Sequence, residues 1–198
     1  NIAEANKKKY SPALYDLTEL QRDANKIYGY SAKQTLNIMQ RLYENHKILT
    51  YPRTDSRYIT TDIVATIPDR LKAIAIGEYR ATADALLKTK INGHKGFVDN
   101  SKVSDHHAII PTEQKPNLAL LSSEERKIYD LVVKRFLSVM LPPFEYVQTT
   151  IEANVEGERL IAKGKVVKSK GWKKLYDHLE EDNCEDDIKE QVLPKVNK

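Results

Sequence analysis

Apolar residues recur at three- and four-residue intervals over most of the chain, then switch to every second residue beyond position 145. Residues 12–30 read as a short extended piece followed by a short helix, with Thr18 as its cap, Gln21 at the reciprocal position and Gly29 at its end. Ser31 with Gln34 opens the clearest helix, in which Leu36, Met39, Leu42, Tyr43 and His46 fall on one side. The spacing predicts its end near Lys47 or Ile48, with Leu36, Met39, Leu42 and Tyr43 as core and His46 at the boundary. Pro52 forces Tyr51 towards extended geometry, so a loop follows that helix directly. Thr61-Asp62 caps a short helix, Pro68 opens another, Gly77 interrupts, and 79–88 is helical again. Residues 90–115 are loop-like, with a turn at Asn92-Gly93. Ser122 with Glu125 caps a helix that runs to Val139 and stops at Pro142-Pro143.

Tyr146 to Val155 alternates, Glu156-Gly157 turns, and Leu160 to Val167 alternates again, which predicts a β-hairpin. A lone hairpin is marginal in water, so these strands are expected to pair with others, from residues 10–20 or from chain outside this sequence. The predicted fold class is therefore α+β, mainly α. Residues 1–30 form a linker and a partial β segment, 31–143 the helical domain, 144–177 the hairpin, and 178–198 an acidic tail.

A length of 198 residues allows one or two domains with a buried core. The chain opens at Asn1 without Met and reads as a piece of something longer. Its single cysteine, Cys184, excludes a disulfide scaffold and a Cys-based zinc site. No apolar run reaches the ~18 residues a membrane span needs, and the cytoplasm is the expected compartment. Charge changes the picture more. Residues 178–198 hold seven acids and three bases, net −4, leaving 29 bases and 21 acids, net +8, for residues 1–177. A basic body points to a polyanionic partner. The acidic run 180–190 lacks the spacing of a calcium loop and reads as a solvated segment. Six lysines between 163 and 174 read first as a solvated face and second as a phosphate track, and Trp172 reads as a packing anchor.

Two segments carry candidate chemistry. In Tyr51-Pro52-Arg53-Thr54-Asp55-Ser56 the phenol is a feasible nucleophile towards phosphorus, and its aryl ester leaves readily in the return reaction. An arginine two residues away can clamp phosphate oxygens, and Thr54, Asp55 and Ser56 offer short polar groups for further contacts. Taken alone, the segment reads first as a turn. In Asp105-His106-His107-Ala108-Ile109-Ile110-Pro111-Thr112 the adjacent histidines point to opposite sides of an extended chain and chelate poorly. One of them can still donate to a phosphate or move a proton.

Together these segments resemble the type IA DNA topoisomerases, particularly the topoisomerase III branch. Leu17-Thr18-Glu19-Leu20-Gln21-Arg22-Asp23-Ala24-Asn25, and Ala162-Lys163-Gly164-Lys165-Val166-Val167 running into Gly171-Trp172, resemble that family too. The resemblance implies that Tyr51 attacks one DNA strand to form a 5′-phosphotyrosyl link, that Arg53 stabilises the scissile phosphate, and that His106 assists. These three residues are then expected around one phosphate, with loops 51–56 and 105–112 side by side. It implies DNA contacts at Thr18, Gln21, Thr54, Asp55, Ser56 and Thr112, and it carries no role over to His107, whose function it leaves open. Magnesium would be held in the full-length enzyme by a toprim-type domain that nothing here resembles, with no metal in this chain. The partners implied are single-stranded DNA and the toprim and arch domains of the same polypeptide, and no membrane. The chain by itself is expected to be inactive.

Two other tyrosine-based DNA enzymes fail on spacing. Relaxases need two histidines separated by one residue, whereas His106 and His107 are adjacent; tyrosine recombinases need His-x-x-Arg, whereas Ile110 stands three residues after His107. The alternative from another class is a non-catalytic helical module that binds single-stranded nucleic acid, with Tyr51 structural.

Overall fold

The computed structural model describes residues 2–91 and 93–177. They divide into two compact units: Pro12–Met140, and residues 2–11 with 141–177. The first is helical. It contains α1 (Leu17–Tyr28), α2 (Ala32–Glu44), α3 (Thr61–Val64), α4 (Ile67–Ile74), α5 (Arg80–Leu87) and α6 (Ser123–Ser138). The second is a three-stranded antiparallel sheet in the order β1 (Ile2–Lys9), β2 (Phe144–Val155), β3 (Glu158–Ser169). The class is α+β and mainly helical. Residues 178–198, with the acidic tail and Cys184, and Asn92 of the expected turn lie outside the described residues.

Helix α6 is the centre of the helical unit. Ser122 accepts from the Glu125 N–H and the Glu125 carboxylate accepts from the Ser122 N–H, so both orphan donors are satisfied. Its Ile128, Leu131, Val132, Phe136 and Leu137 are buried, as are Leu20 and Ala24 of α1 and Ile38, Met39 and Leu42 of α2. These three helices pack on one another. A polar clasp joins α6 to α1 and to the strand-like stretch before it. Arg135 donates to the Ala13 carbonyl at 3.0 Å, the Tyr15 hydroxyl at 3.1 Å and the Asp23 carboxylate at 2.8 Å, and its guanidinium lies 4.0 Å from the Tyr15 ring. The Tyr15 hydroxyl in turn donates to Asp23. A buried arginine is tolerated because carboxylate, carbonyl and aromatic face all meet it.

Several local expectations are corrected. Helix α1 is capped by Asp16, whose carboxylate accepts from the Glu19 N–H at 2.7 Å; Thr18 lies one residue inside the helix. Ser31 does accept from the Gln34 N–H, but the Gln34 amide reaches Glu124 on α6 instead of the Ser31 backbone. Helix α2 stops at Glu44, earlier than its apolar pattern suggests, and Lys47 turns the chain with a positive φ of 56°. Tyr43 is 37% exposed and so is not core. The short helix α3 starts after Thr60 without a side-chain cap.

The largest correction is at the start of the chain. Residues 2–9, the polar start of the stretch read as a linker and partial β segment, form β1 along their whole length, pairing with β2 from Ile2↔Ile151 to Lys9↔Phe144. The hairpin's additional partner therefore comes from positions ahead of residues 10–20. Helix α1 belongs to the unit Pro12–Met140, so that unit begins well before Ser31. The β2–β3 turn has positive φ at Glu156 (52°) and Gly157 (90°), the pair a tight right-twisted hairpin needs. Gly171 also has positive φ, and a Cβ there would meet the Pro143 carbonyl oxygen at 2.2 Å, so only glycine fits. That close approach lets the Trp172 N–H reach the Pro142 carbonyl at 3.0 Å, while the buried indole N–H donates to the Lys9 carbonyl at 2.9 Å. Trp172 is a packing anchor.

Candidate active site

Two loops of the helical unit run side by side, and the chain that joins them to the helices explains why. After Lys47 the backbone becomes extended: Leu49 bridges Pro111, the Thr50 N–H donates to the Ile110 carbonyl at 3.0 Å, and the Thr112 N–H donates to Ile48 at 3.1 Å. Threonine hydroxyls add cross-links. Thr50 donates to the Ala108 carbonyl at 3.2 Å and accepts from the Ile110 N–H at 2.9 Å. Thr54, itself buried, donates to the His106 carbonyl at 2.9 Å. Thr112 donates to the Lys47 carbonyl at 2.6 Å. Three further ties hold the pair in the unit: Leu17 N–H to the Thr54 carbonyl at 3.1 Å, Ile109 N–H to Tyr15 at 2.8 Å, and Ala108 N–H to Tyr58 at 2.9 Å.

On this frame the Tyr51 and His106 rings lie 4.4 Å apart between centroids, tilted by 41°. Tyr51 is half-buried and His106 exposed. On another side Tyr43 meets Tyr51 at 78° with centroids 5.5 Å apart. Pro52 is buried, which anchors the peptide between Tyr51 and Arg53. Arg53 is exposed and engages no hydrogen bond or ion pair among the described residues, so its five N–H donors are available to an anion.

The remaining candidates divide clearly. Asp55 and Thr18 are exposed. Ser56 is buried, donating to the Lys102 carbonyl at 2.7 Å, and Thr54 and Thr112 spend their hydroxyl protons on the backbone bonds above. Gln21 donates to the Ala32 carbonyl at 3.0 Å, joining α1 to the start of α2. His107 is half-buried, and burial pushes its pKa below the ordinary value. Its Nδ1 lies 2.7 Å from the Ala108 carbonyl, which fits a neutral ring with the proton on Nδ1.

Three contributors escape sequence reading. Tyr43 reads as core by period. Arg70 sits on α4 between apolar positions, yet it clamps the second loop: it donates to the Pro111 carbonyl at 2.6 Å and the Thr66 hydroxyl at 2.8 Å, and pairs with Glu113 at 2.9 Å. Glu125 links the helix before Tyr51 to α6, accepting from Arg41 at 2.9 Å with the His46 ring 3.4 Å away. A charged residue in an apolar stripe was the only available signal for Arg70.

The family model described as DNA topoisomerase matches residues 1–198. The chain belongs to the DNA topoisomerase family. It is 60% identical over 198 residues to DNA topoisomerase 3 of Bacillus thuringiensis and 54% identical over 197 residues to that of Bacillus subtilis, covering all of this chain and 27% of each relative. It thus spans about a quarter of the length of these curated relatives. In fold it resembles part of full-length topoisomerase I from Thermotoga maritima, with a TM-score of 0.67 over 97% of this chain and 31% of that one at 21% identity.

Proposed function

We propose that this chain is the nucleophile-bearing part of a type IA enzyme that cleaves and reseals one DNA strand to change DNA topology. The observation that carries the reading is the contact between the Tyr51 and His106 rings, with Arg53, which has no partner among the described residues, two residues on. Tyr51 Oη bonds to phosphorus as the phosphorus–3′-oxygen bond breaks; the phenol loses its proton and the departing 3′-oxygen gains one. The 5′-phosphotyrosyl link preserves the bond energy, so the 3′-hydroxyl reseals the strand by the reverse step. Arg53 binds the non-bridging oxygens, where its charge counts most as the pentavalent state develops. His106 donates to the same phosphate, held against Tyr51 by its backbone bond to Thr54.

Thr18 and Asp55, both exposed, are assigned to DNA contacts. Thr54, Ser56, Thr112 and Gln21 act by shaping the loops and the helix start. The helical unit is the catalytic-tyrosine domain, and the sheet is a portion of the arch through which the other strand passes, with 178–198 as a linker. Single-stranded DNA is the substrate, the remaining domains of the polypeptide are its partners, and the cytoplasm is its compartment. No helix of the described residues is long and apolar enough to cross a membrane. Magnesium is assigned to another part of the polypeptide. Among the described residues there is no group of three or more His, Cys, Asp or Glu that could hold a metal.

A non-catalytic binding module is the competing reading. Plasmid relaxation by the complete polypeptide separates them. Tyr51→Phe abolishes relaxation and leaves single-stranded DNA affinity within a few-fold; a Phe variant that still relaxes DNA overturns the proposal.

A further inference from the structure

Beside the Tyr51 ring lies an open pocket of about 540 Å³, within the ~300–1,000 Å³ range of small-ligand sites. Tyr43, Glu44, Lys47, Thr50 and Tyr51 contribute to its lining. Two features of this wall bear on a ligand. Tyr43 sits where the helical stripe predicts core, yet remains 37% exposed beside the nucleophile. Glu44 and Lys47 are exposed, and neither side chain engages a partner among the described residues.

An aromatic ring, an unpartnered cation and an unpartnered carboxylate around one concavity match a nucleotide: stacking surface for the base, a charge for its phosphate, and an acceptor for a base amino group. Attack by Tyr51 on phosphorus brings the flanking nucleosides next to its ring, so the pocket lies within their reach. We propose that the pocket between Tyr43 and Tyr51 receives one base of single-stranded DNA within two nucleotides of the scissile phosphate. Glu44 favours a base that offers an exocyclic amino group, cytosine, adenine or guanine, over thymine, which offers none. Lys47 pairs with the adjoining phosphate. This rests on the role of Tyr51 proposed above and adds a determinant of where the strand is cut.

The test maps cleavage by the complete polypeptide on a pool of single-stranded oligonucleotides randomised around the cut, reading the ends of covalently captured strands. The wild type is expected to show thymine depleted at least threefold at one position within two nucleotides of the cut. Glu44→Ala, an exposed change, abolishes that depletion. Tyr43→Ala weakens capture at limiting DNA about tenfold, and Tyr43→Phe, which keeps the stacking face, stays within twofold. A merely structural role for either residue would leave the base distribution unmoved. Adduct formed with the same base distribution in wild type and Glu44→Ala overturns the pocket while leaving the Tyr51 reading intact. No adduct in the wild type overturns both.

Discussion

The rings of Tyr51 and His106 lie 4.4 Å apart although 55 positions separate them in the chain. The contact is not held by the rings themselves. It is held by backbone bonds between the two loops, and above all by Thr54, whose hydroxyl donates to the His106 carbonyl and accepts from the Ser56 N–H. The fold itself therefore fixes the contact, as the transition-state stabilisation proposed for these residues would require.

That makes Thr54 a sensitive position. Thr54→Val keeps the shape and removes both bonds at a buried site, which costs about 1–3 kcal/mol of stability. The two tilted rings should also separate on average. Denaturant unfolding and the His106 ring proton shifts check this: the expected outcome is lower stability with a downfield shift as the ring-current effect of Tyr51 fades. Unchanged shifts would mean that the loops are aligned without Thr54.

Arg53 should behave in the opposite way. It is exposed and has no protein partner among the described residues, so Arg53→Ala leaves stability within about 0.5 kcal/mol. Strand cleavage by the complete polypeptide should nonetheless fall by ~10²–10³, the range for removing one preorganised donor. Arg53→Lys should recover part of the loss, because a point charge replaces a planar fork. Single-turnover adduct formation and a thermal melt read the two quantities separately.

His107 supplies a pH dependence whose sign is determined. Burial lowers its folded-state pKa, with the nearby Arg70 and His106 pushing the same way and the Ala108 carbonyl and Asp62 opposing. The unfolded chain then takes up a proton that the folded chain resists. The stability tied to neutral His107 is thus full above the unfolded value of ~6.5 and is lost as pH falls from there through the lowered folded value. Denaturation of wild type and His107→Asn at pH 7.5, 6 and 5 checks it. The wild type should lose stability relative to the variant as pH drops, and a pH-independent difference would contradict the burial effect.

Local rules made much of this fold legible. The Ser122–Glu125 capping box, the stop at Gly29 and the Glu156-Gly157 hairpin each depend on residues within a few positions of one another. What stayed hidden depends on distant partners. Strand β1 is exposed along its length and carries a lysine run, so no alternation marks it; its partner β2 lies more than 130 positions on. Tyr43 keeps helical phase with Leu36 and Met39, yet of these three only Met39 is buried, and tertiary packing alone decides where the core ends. Arg70 is explained by the Pro111 carbonyl, 41 residues away. The adjacency of loops 51–56 and 105–112 was expected from the family resemblance, since nothing in their spacing brings them together.

The central claim is that Tyr51 becomes covalently joined to DNA. The most direct measurement incubates the complete polypeptide with single-stranded DNA, denatures it rapidly, digests protein and DNA, and identifies the modified peptide by mass spectrometry. The account predicts a nucleotide linked through its 5′-phosphate to Tyr51, absent from Tyr51→Phe. An adduct on any other residue, or cleavage that persists in Tyr51→Phe, would contradict it.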